Sequence, residues 1–298
     1  MKYAIWRHEN ALGNSAEQVV NLSAFIRDNK DENPIVYVET EFQFYMVLCI
    51  PNVKYENVRY FDKNKLSLDN LHINFLENKF LHDIYMPDVY FSGLPLVYPS
   101  IWKTINNSNF KLEFPSGLYQ NKFNIPDGSI VFHVREKGTY DKRVEGSKED
   151  LQRFVRPETF FELMYIYADM GFSVVQIGDD KQKRAPKHKN ILDLCGKNTN
   201  MLDDLYAIST SAVFLSCDSG VWPMAGGLRK NLVLSNVTSV YSRKKRFKKY
   251  NIEMINPEIV SWLPYKTSKV LFKESIKGKF FDNSINQLKL AVDSFIVS

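Results

Sequence analysis

Short apolar runs alternate along this chain with segments of helical periodicity, and each run ends in a polar or glycine-bearing turn. No other feature restricts the fold as much. Parallel strands need long crossover connections, so this alternation predicts parallel sheets covered by helices on both faces. In the first block, residues 3–7 read as a strand. Ser15 reads as the N-cap of a helix, with Gln18 three residues on as in a capping box. Val19, Leu22, Phe25 and Ile26 recur at helical spacing. A break at 29–34 precedes a strand at 35–38, a helix over 42–48 and a strand at 58–61.

Residues 62–125 are less regular. A helix is predicted around 65–82, and Pro87, Gly93, Pro95, Pro99, Pro115 and Gly117 punctuate the remainder of that segment. Residues 111–128 read as a connection between domains. The alternation restarts at Ser129-Ile130-Val131-Phe132-His133-Val134. Pro157 opens a helix, where its missing N–H costs nothing, and Gly171 ends it. Strands come next at 172–177, 191–194, 212–215 and 232–234, with a helix over 201–208 capped by Thr199 or Asn200. A last amphipathic helix, 285–297, is expected to pack back across the domain junction. The expected fold class is α/β, with two Rossmann-like domains facing across a cleft. Their expected extents are 1–125 and 126–283, with 284–298 as the final helix.

With 298 residues, 44% of them hydrophobic, the chain is long enough for two cores. Cys49, Cys195 and Cys217 are an odd number without close spacing, which favours a reducing compartment over a disulfide framework. Charge arrives too early at the N-terminus for a signal peptide, and no apolar run could span a bilayer. A cytoplasmic protein is therefore expected. The net charge of +5 is local: the run from Arg243 to Lys249 holds six cations, and 5 − 6 = −1 for the rest. A nucleic-acid binder would spread that charge over a face, so no nucleic-acid partner is expected. The run reads either as a solvated loop or as a patch meeting anionic lipid headgroups or an anionic saccharide. The second reading would put the protein at the inner face of the membrane.

Ligands of open parallel sheets bind outside the carboxyl ends of the strands. Four such ends carry polar or flexible residues, at 8–14, 133–140, 178–180 and 218–220. The stretch "FLSCDSGVWPMAGGLRKN" (214–231) poses the sharpest question. It is either a strand–turn–helix cradle for a phosphate or a plain turn whose glycines pack closely. It is neither a P-loop nor the G-x-G-x-x-G fingerprint, which leaves a dinucleotide oxidoreductase the least favoured class. No Asp-x-Asp motif suits Mg²⁺ and no His/Cys cluster suits Zn²⁺, so no metal site is expected.

The segments "FSVVQIGDD" (172–180) and "ILDLCGKNTNMLDDLYAISTSAVFLSCDSG" (191–220), with the glycine pair after them, resemble a known family. They are similar to the C-terminal half of GT-B glycosyltransferases, especially the ADP-heptose heptosyltransferase group and related bacterial surface-polysaccharide enzymes. The shared order is a strand ending in Gly, a turn, a short helix, and an apolar strand ending in Asp-Ser/Thr-Gly. The N-terminal piece is similar in layout, and the likeness covers about two-thirds of the chain. A second segment, "FHVREKGTYD" (132–141), resembles the His-x-Arg motif of GDP-fucose-using fucosyltransferases, whose Arg meets the donor diphosphate.

The resemblance implies a metal-independent glycosyltransferase of lipopolysaccharide, capsule or similar glycan synthesis. It implies no cofactor, only a nucleotide-diphosphate sugar of GDP or ADP type as donor and a saccharide or lipid-linked saccharide as acceptor. The donor would lie on the C-terminal domain. Gly178 and Asp179 would border its base or ribose, Arg135, Ser219 and Gly220 would hold its diphosphate, and His133 and Asp218 would complete the donor site. The acceptor would lie on the N-terminal domain. The chain also departs from the family. Asn14 stands where the family carries an Asp base, Pro223 where it carries a His, and Glu136 where the fucosyltransferases have a second Arg. An inverting transfer needs a base for the acceptor hydroxyl. The candidates are His8, Glu9 and Glu17, then Asp141, and Lys142 and Arg143 would assist the leaving phosphate. A nucleotide-sugar hydrolase or epimerase is the alternative enzyme. A non-catalytic nucleotide-sugar-binding subunit is the reading that Asn14 keeps open.

Overall fold

Among the described residues, nine parallel strands in two sheets form the frame of the protein, in a computed structural model that describes residues 2–4, 12–28, 30–60, 111–136, 155–217, 220–237, 267–276 and 279–296. The N-terminal sheet holds β1 (Lys2–Ala4), β2 (Ile35–Val38) and β3 (Val58–Tyr60), in that order and all parallel. Helices α1 (Leu12–Asp28) and α2 (Glu41–Val47) connect them. Helix α1 starts at Leu12, so Ser15 lies within its first turn and is not the cap. Its hydroxyl instead accepts a hydrogen bond from Gln43 Nε2 of α2 at 3.1 Å. The cap of α2 is Thr40, whose Oγ1 accepts from the Gln43 N–H.

The larger sheet holds β4 (Ile130–His133), β5 (Val174–Ile177), β6 (Ile191–Asp193), β7 (Val213–Cys217), β8 (Leu232–Val237) and β9 (Ser268–Phe272). Their order is β6-β5-β4-β7-β8-β9, all parallel. This is the doubly wound arrangement: the chain builds outward from β4 to one edge, returns, and builds to the other. Strands β4, β5 and β7 are buried at every position, which is why they read as unbroken apolar runs. A hairpin of β10 (Glu274–Ile276) and β11 (Lys279–Phe281) comes after β9.

Among the described residues, four helices cover this sheet. Helix α3 (Pro157–Asp169) starts with its proline and is closed by Gly171 at φ +91°. Helix α4 (Met201–Thr210) has a full capping box. Asn200 Oδ1 accepts from the Leu202 and Asp203 N–H groups, and Asp203 Oδ2 accepts from Asn200 N at 2.8 Å. Helices α5 (Trp222–Gly227) and α6 (Ile285–Ile296) complete the set.

Two apolar cores result. On the outer face of the large sheet, Phe132, Val174 and Leu215 pack with Phe160, Leu163 and Tyr167 of α3 and Leu288 and Val292 of α6. On the inner face α4 and α5 pack against α2 and α1, so Val131, Ile177, Leu205, Ile208 and Met224 share one core with Val19, Val36 and Met46. The two units therefore meet helix against helix. Helix α6, expected at the junction, lies on α3, β7 and β8. The junction is filled by the inner helices and by the connection predicted at 111–128. That strap is tied to both units: Leu112 N–H donates to Gly227 O and Glu113 N–H to Cys49 O, both at 2.8 Å. Tyr119 also stacks on Tyr206 of α4 with ring centroids 4.4 Å apart. The helix predicted around 65–82 and the basic run 243–249 lie outside the described residues.

Candidate functional site

In a doubly wound sheet the crevice opens where the strand order reverses, here between β4 and β7. Two of the sequence candidates sit there. His133 ends β4, between Ile177 of β5 and Ser216 of β7. Arg135 lies two residues on, and its backbone N–H donates to Cys217 Sγ at 2.9 Å, which ties the two strand ends together. Both side chains are buried. Burial, reinforced by the Arg135 charge, lowers His133 to about 4, so its imidazole is neutral at physiological pH. Glu136 is buried beside them. Its Oε1 accepts from the Lys183 N–H at 3.0 Å, and burial raises its carboxyl above the usual range.

Gly178 and Asp179 leave the neighbouring strand β5 at the same edge. Gly178 has φ +147°, and a Cβ built on it would lie 1.4 Å from Gln182 Oε1. The space left by the missing side chain is thus filled by Gln182 from within the chain. Gln182 Nε2 donates to Val134 O at 2.5 Å, and its Oε1 accepts from Cys195 Sγ at 3.5 Å. One carboxamide therefore knits the ends of β4 and β6 across β5. Asp179 Oδ1 closes a local turn by accepting from Lys181 N at 2.9 Å, and the side chain is exposed.

Sequence reasoning missed a carboxylate group beside this edge. Asp203 is fully paired: besides Asn200 N, it accepts from the Tyr119 hydroxyl at 3.1 Å and meets Lys122 Nζ at 3.2 Å. Asp204 has a buried Oδ1 with no hydrogen-bond partner. Burial, with the charges of Asp203 and Asp179 adding to it, pushes its carboxyl up to about 8. The pattern Asn200-Met201-Leu202-Asp203 was a visible capping signature. Only part of the Asp204 environment is local, because the Asp179 charge that reaches Asp204 comes from the turn after β5.

The glycine-rich stretch after β7 is a strand, a turn and a short helix. Asp218 and Ser219 lie outside the described residues. Helix α5 starts at Trp222, not at Ser219-Gly220 as a cradle would require. The glycines serve close packing. A Cβ on Gly220 would lie 2.9 Å from Leu12 Cβ and 3.0 Å from Gly13 N, and one on Gly227 would lie 2.5 Å from Leu112 Cδ1. This contact brings the start of α1 to the end of β7. The carboxyl edges of the two sheets converge there, and Asn14 and Glu17 stand in the first turns of α1 beside the crevice. His8, Glu9, Asp141, Lys142 and Arg143 lie outside the described residues, as does the side chain of Glu17.

Among the described residues no group of His, Cys, Asp and Glu side chains is placed to hold a metal ion, and no helix is long and apolar enough to cross a membrane. An open groove of about 670 Å³ runs along the edge strand β6, lined by Arg184, Lys187, His188, Asp193 and Lys197, two strands away from the crevice.

No protein-family model and no curated protein sequence matches the chain. Its architecture is nevertheless that of known proteins. It is similar to the E. coli heptosyltransferase WaaC solved with ADP, at TM-score 0.55 and 9% identity over 99% of each chain. It is similar to E. coli ADP-heptose LPS heptosyltransferase II, at TM-score 0.56 and 11% identity over 99% of this chain and 98% of that one. It is also similar to a glycosyl transferase family 9 protein from Veillonella parvula, at TM-score 0.55 and 12% identity over 99% and 96%. The fold is therefore the α/β architecture with two Rossmann-like domains that these proteins share, as the sequence resemblance implied.

Proposed function

We propose that this protein is a glycosyltransferase of bacterial surface glycan synthesis that moves a sugar from a nucleotide-diphosphate donor to a saccharide acceptor. The observation that carries the reading is the meeting of Arg135, the β7 turn and the start of α1 at the strand-order reversal of a heptosyltransferase-like fold. A diphosphate there would be met by the Arg135 guanidinium, and Asp218, Ser219 and Gly220 would border it. His133, neutral, would add a donor without a second charge. Gly178 and Asp179 would border the ribose or base. In the transfer, the acceptor hydroxyl oxygen bonds to the anomeric carbon while that carbon's bond to the diphosphate breaks. The diphosphate leaves with the electron pair, and the hydroxyl proton passes to a base. That base is proposed to be one of Glu9, His8 and Glu17, because Asn14 cannot accept the proton. The reaction is proposed to proceed without metal, with positive charge and helix ends meeting the leaving group.

The test is a thermal-shift series with GDP, UDP, ADP, CMP and NAD, each with Mg²⁺ and with EDTA. A ligand that binds only the native state raises the unfolding midpoint. The expected result is a rise with one nucleotide diphosphate, equal in both conditions and lost in Arg135→Ala. No rise with any nucleotide at millimolar concentration would overturn the reading.

A further inference from the structure

We infer that helix α2 and strand β3 of the N-terminal unit carry a binding platform for an uncharged sugar ring, built from Tyr45, Tyr55 and Tyr60 around Phe44 with Glu41 at its rim. This rests on the transferase reading only in naming that sugar as part of the acceptor. The platform joins three pieces of chain. Phe44 and Tyr45 come from α2, Tyr55 from the 3₁₀ turn at Tyr55–Asn57, and Tyr60 is the last residue of β3, in register with Val38 at the end of β2. Phe44 is buried at the centre. The Tyr60 ring lies parallel to it, with centroids 5.3 Å apart and planes within 8°. Tyr55 and Tyr45 meet Phe44 edge-on at 5.2 and 5.7 Å. Phe44 thus sets the three phenol rings as a fixed group.

Tyr55 and Tyr60 are each 58% exposed. A ring that stacks on a buried Phe and still exposes more than half its surface presents its outer face to solvent. Clustered, exposed aromatic groups mark binding surfaces. Flat rings with hydroxyl tips suit a ligand that is apolar on one face and hydroxylated at its rim, as a pyranose is. Glu41 sets the charge class. The Tyr45 hydroxyl donates to Glu41 Oε1 at 3.2 Å. Partial desolvation raises the Tyr45 and Tyr60 phenols, and the Glu41 charge adds to both. A carboxylate in that position accepts hydrogen bonds from sugar hydroxyls and repels carboxylated or phosphorylated sugars. Tyr60, at the carboxyl end of β3, gives the platform a location that fits an acceptor. Strand β3 lies two strands from β1, about 10 Å along the same edge from which α1 leads to the crevice.

The test applies fluorescently labelled full-length protein to an array of neutral glucose-, galactose- and N-acetylglucosamine-terminated oligosaccharides and of sialylated and uronate-terminated ones. Wild type is expected to bind a subset of the neutral glycans. Tyr60→Ala and Tyr55→Ala are expected to weaken that binding by roughly tenfold each. Both residues are exposed, so unchanged melting of the variants separates lost binding from lost folding. Glu41→Gln is expected to admit the acidic glycans. No glycan bound, equal binding by wild type and tyrosine variants, or a preference for acidic glycans would each overturn the inference. Nucleotide-induced melting shifts are measured on the same samples. Glycan binding without nucleotide binding would remove the transferase reading and leave the platform standing. Nucleotide binding without glycan binding would do the reverse.

Discussion

Gly13 and Gly220 face each other backbone to backbone across the junction of the two units: a Cβ on Gly13 would stand 3.2 Å from Gly220 Cα, and one on Gly220 would stand 3.0 Å from Gly13 N. A side chain at Gly220 would force a shift and one at Gly13 would meet a tight contact, because the first turn of α1 sits directly on the turn after β7. Substitutions here should be ordered. Gly220→Ala is expected to destabilise the protein by about 1–3 kcal/mol, because it meets backbone and the Leu12 Cβ, which cannot swing away. Gly13→Ala, with a milder contact, is expected to cost less. Urea unfolding of the two variants gives the order, and equal costs would contradict a direct contact.

Gly178 and Gln182 form a second matched pair. Gly178→Ala would drive a methyl group into the Gln182 carboxamide and also strain a residue at φ +147°. A loss of about 3 kcal/mol is expected. In a Gln182→Ala background the steric part disappears and the backbone strain remains. The second substitution should then cost clearly less, and a double-mutant cycle by chemical denaturation reads the difference.

His133 and Asp204 predict a specific pH profile. The folded value of His133, about 4, lies below its ordinary 6.5. Its contribution is present above pH 6.5 and is lost as pH falls toward 4. The folded value of Asp204, about 8, lies above its ordinary 3.8. Its contribution is present below that ordinary value and is lost as pH rises toward 8. Between about pH 4 and 6.5 the two slopes oppose each other, and from 6.5 to 8 only Asp204 acts. Asp204→Asn is therefore expected to raise stability at pH 8 by about 2 kcal/mol and to leave a profile that climbs from pH 4 to 6.5. His133→Gln should leave a profile that falls from pH 4 to 8. Melting temperatures of the three proteins across this range test both slopes.

Arg135 and Lys are not equivalent at a diphosphate. Arg135→Lys keeps a charge but loses the planar fork that bonds two oxygens at once. The nucleotide-induced rise in melting temperature is expected to shrink in Arg135→Lys and vanish in Arg135→Ala. His133→Gln should retain most of it. Full retention in Arg135→Ala would move the donor site away from the β4 end.

Asn200 closes α4 through side chain and backbone at once. Asn200→Ala is expected to lower stability by about 1 kcal/mol, measured by thermal unfolding. The backbone N–H of residue 200 still donates to Asp203 Oδ2 in that variant, so the loss reports only the two bonds accepted by Asn200 Oδ1.

Local chemistry made the strands and most helix ends legible. The buried runs at β4, β5 and β7, Pro157 at the start of α3, Gly171 at its end and Asn200 at the start of α4 each act within a few residues, so a linear reading finds them. Ser15 misled that reading. It looks like an N-cap, yet α1 begins at Leu12 and Gly13 packs closely on Gly220, a contact from a distant segment. What the glycines of 220–227 are for, and which residues fill the edge of the large sheet, depended on elements far apart in sequence. Gln182 occupies the space at Gly178, Asp204 senses Asp179, and Tyr60 stacks on Phe44 only once β3 pairs with β2. Order along the chain is set by short-range backbone and periodicity effects. The strand reversal between β4 and β7, the buried charges and the tyrosine platform arise from packing, whose partners no sequence interval specifies.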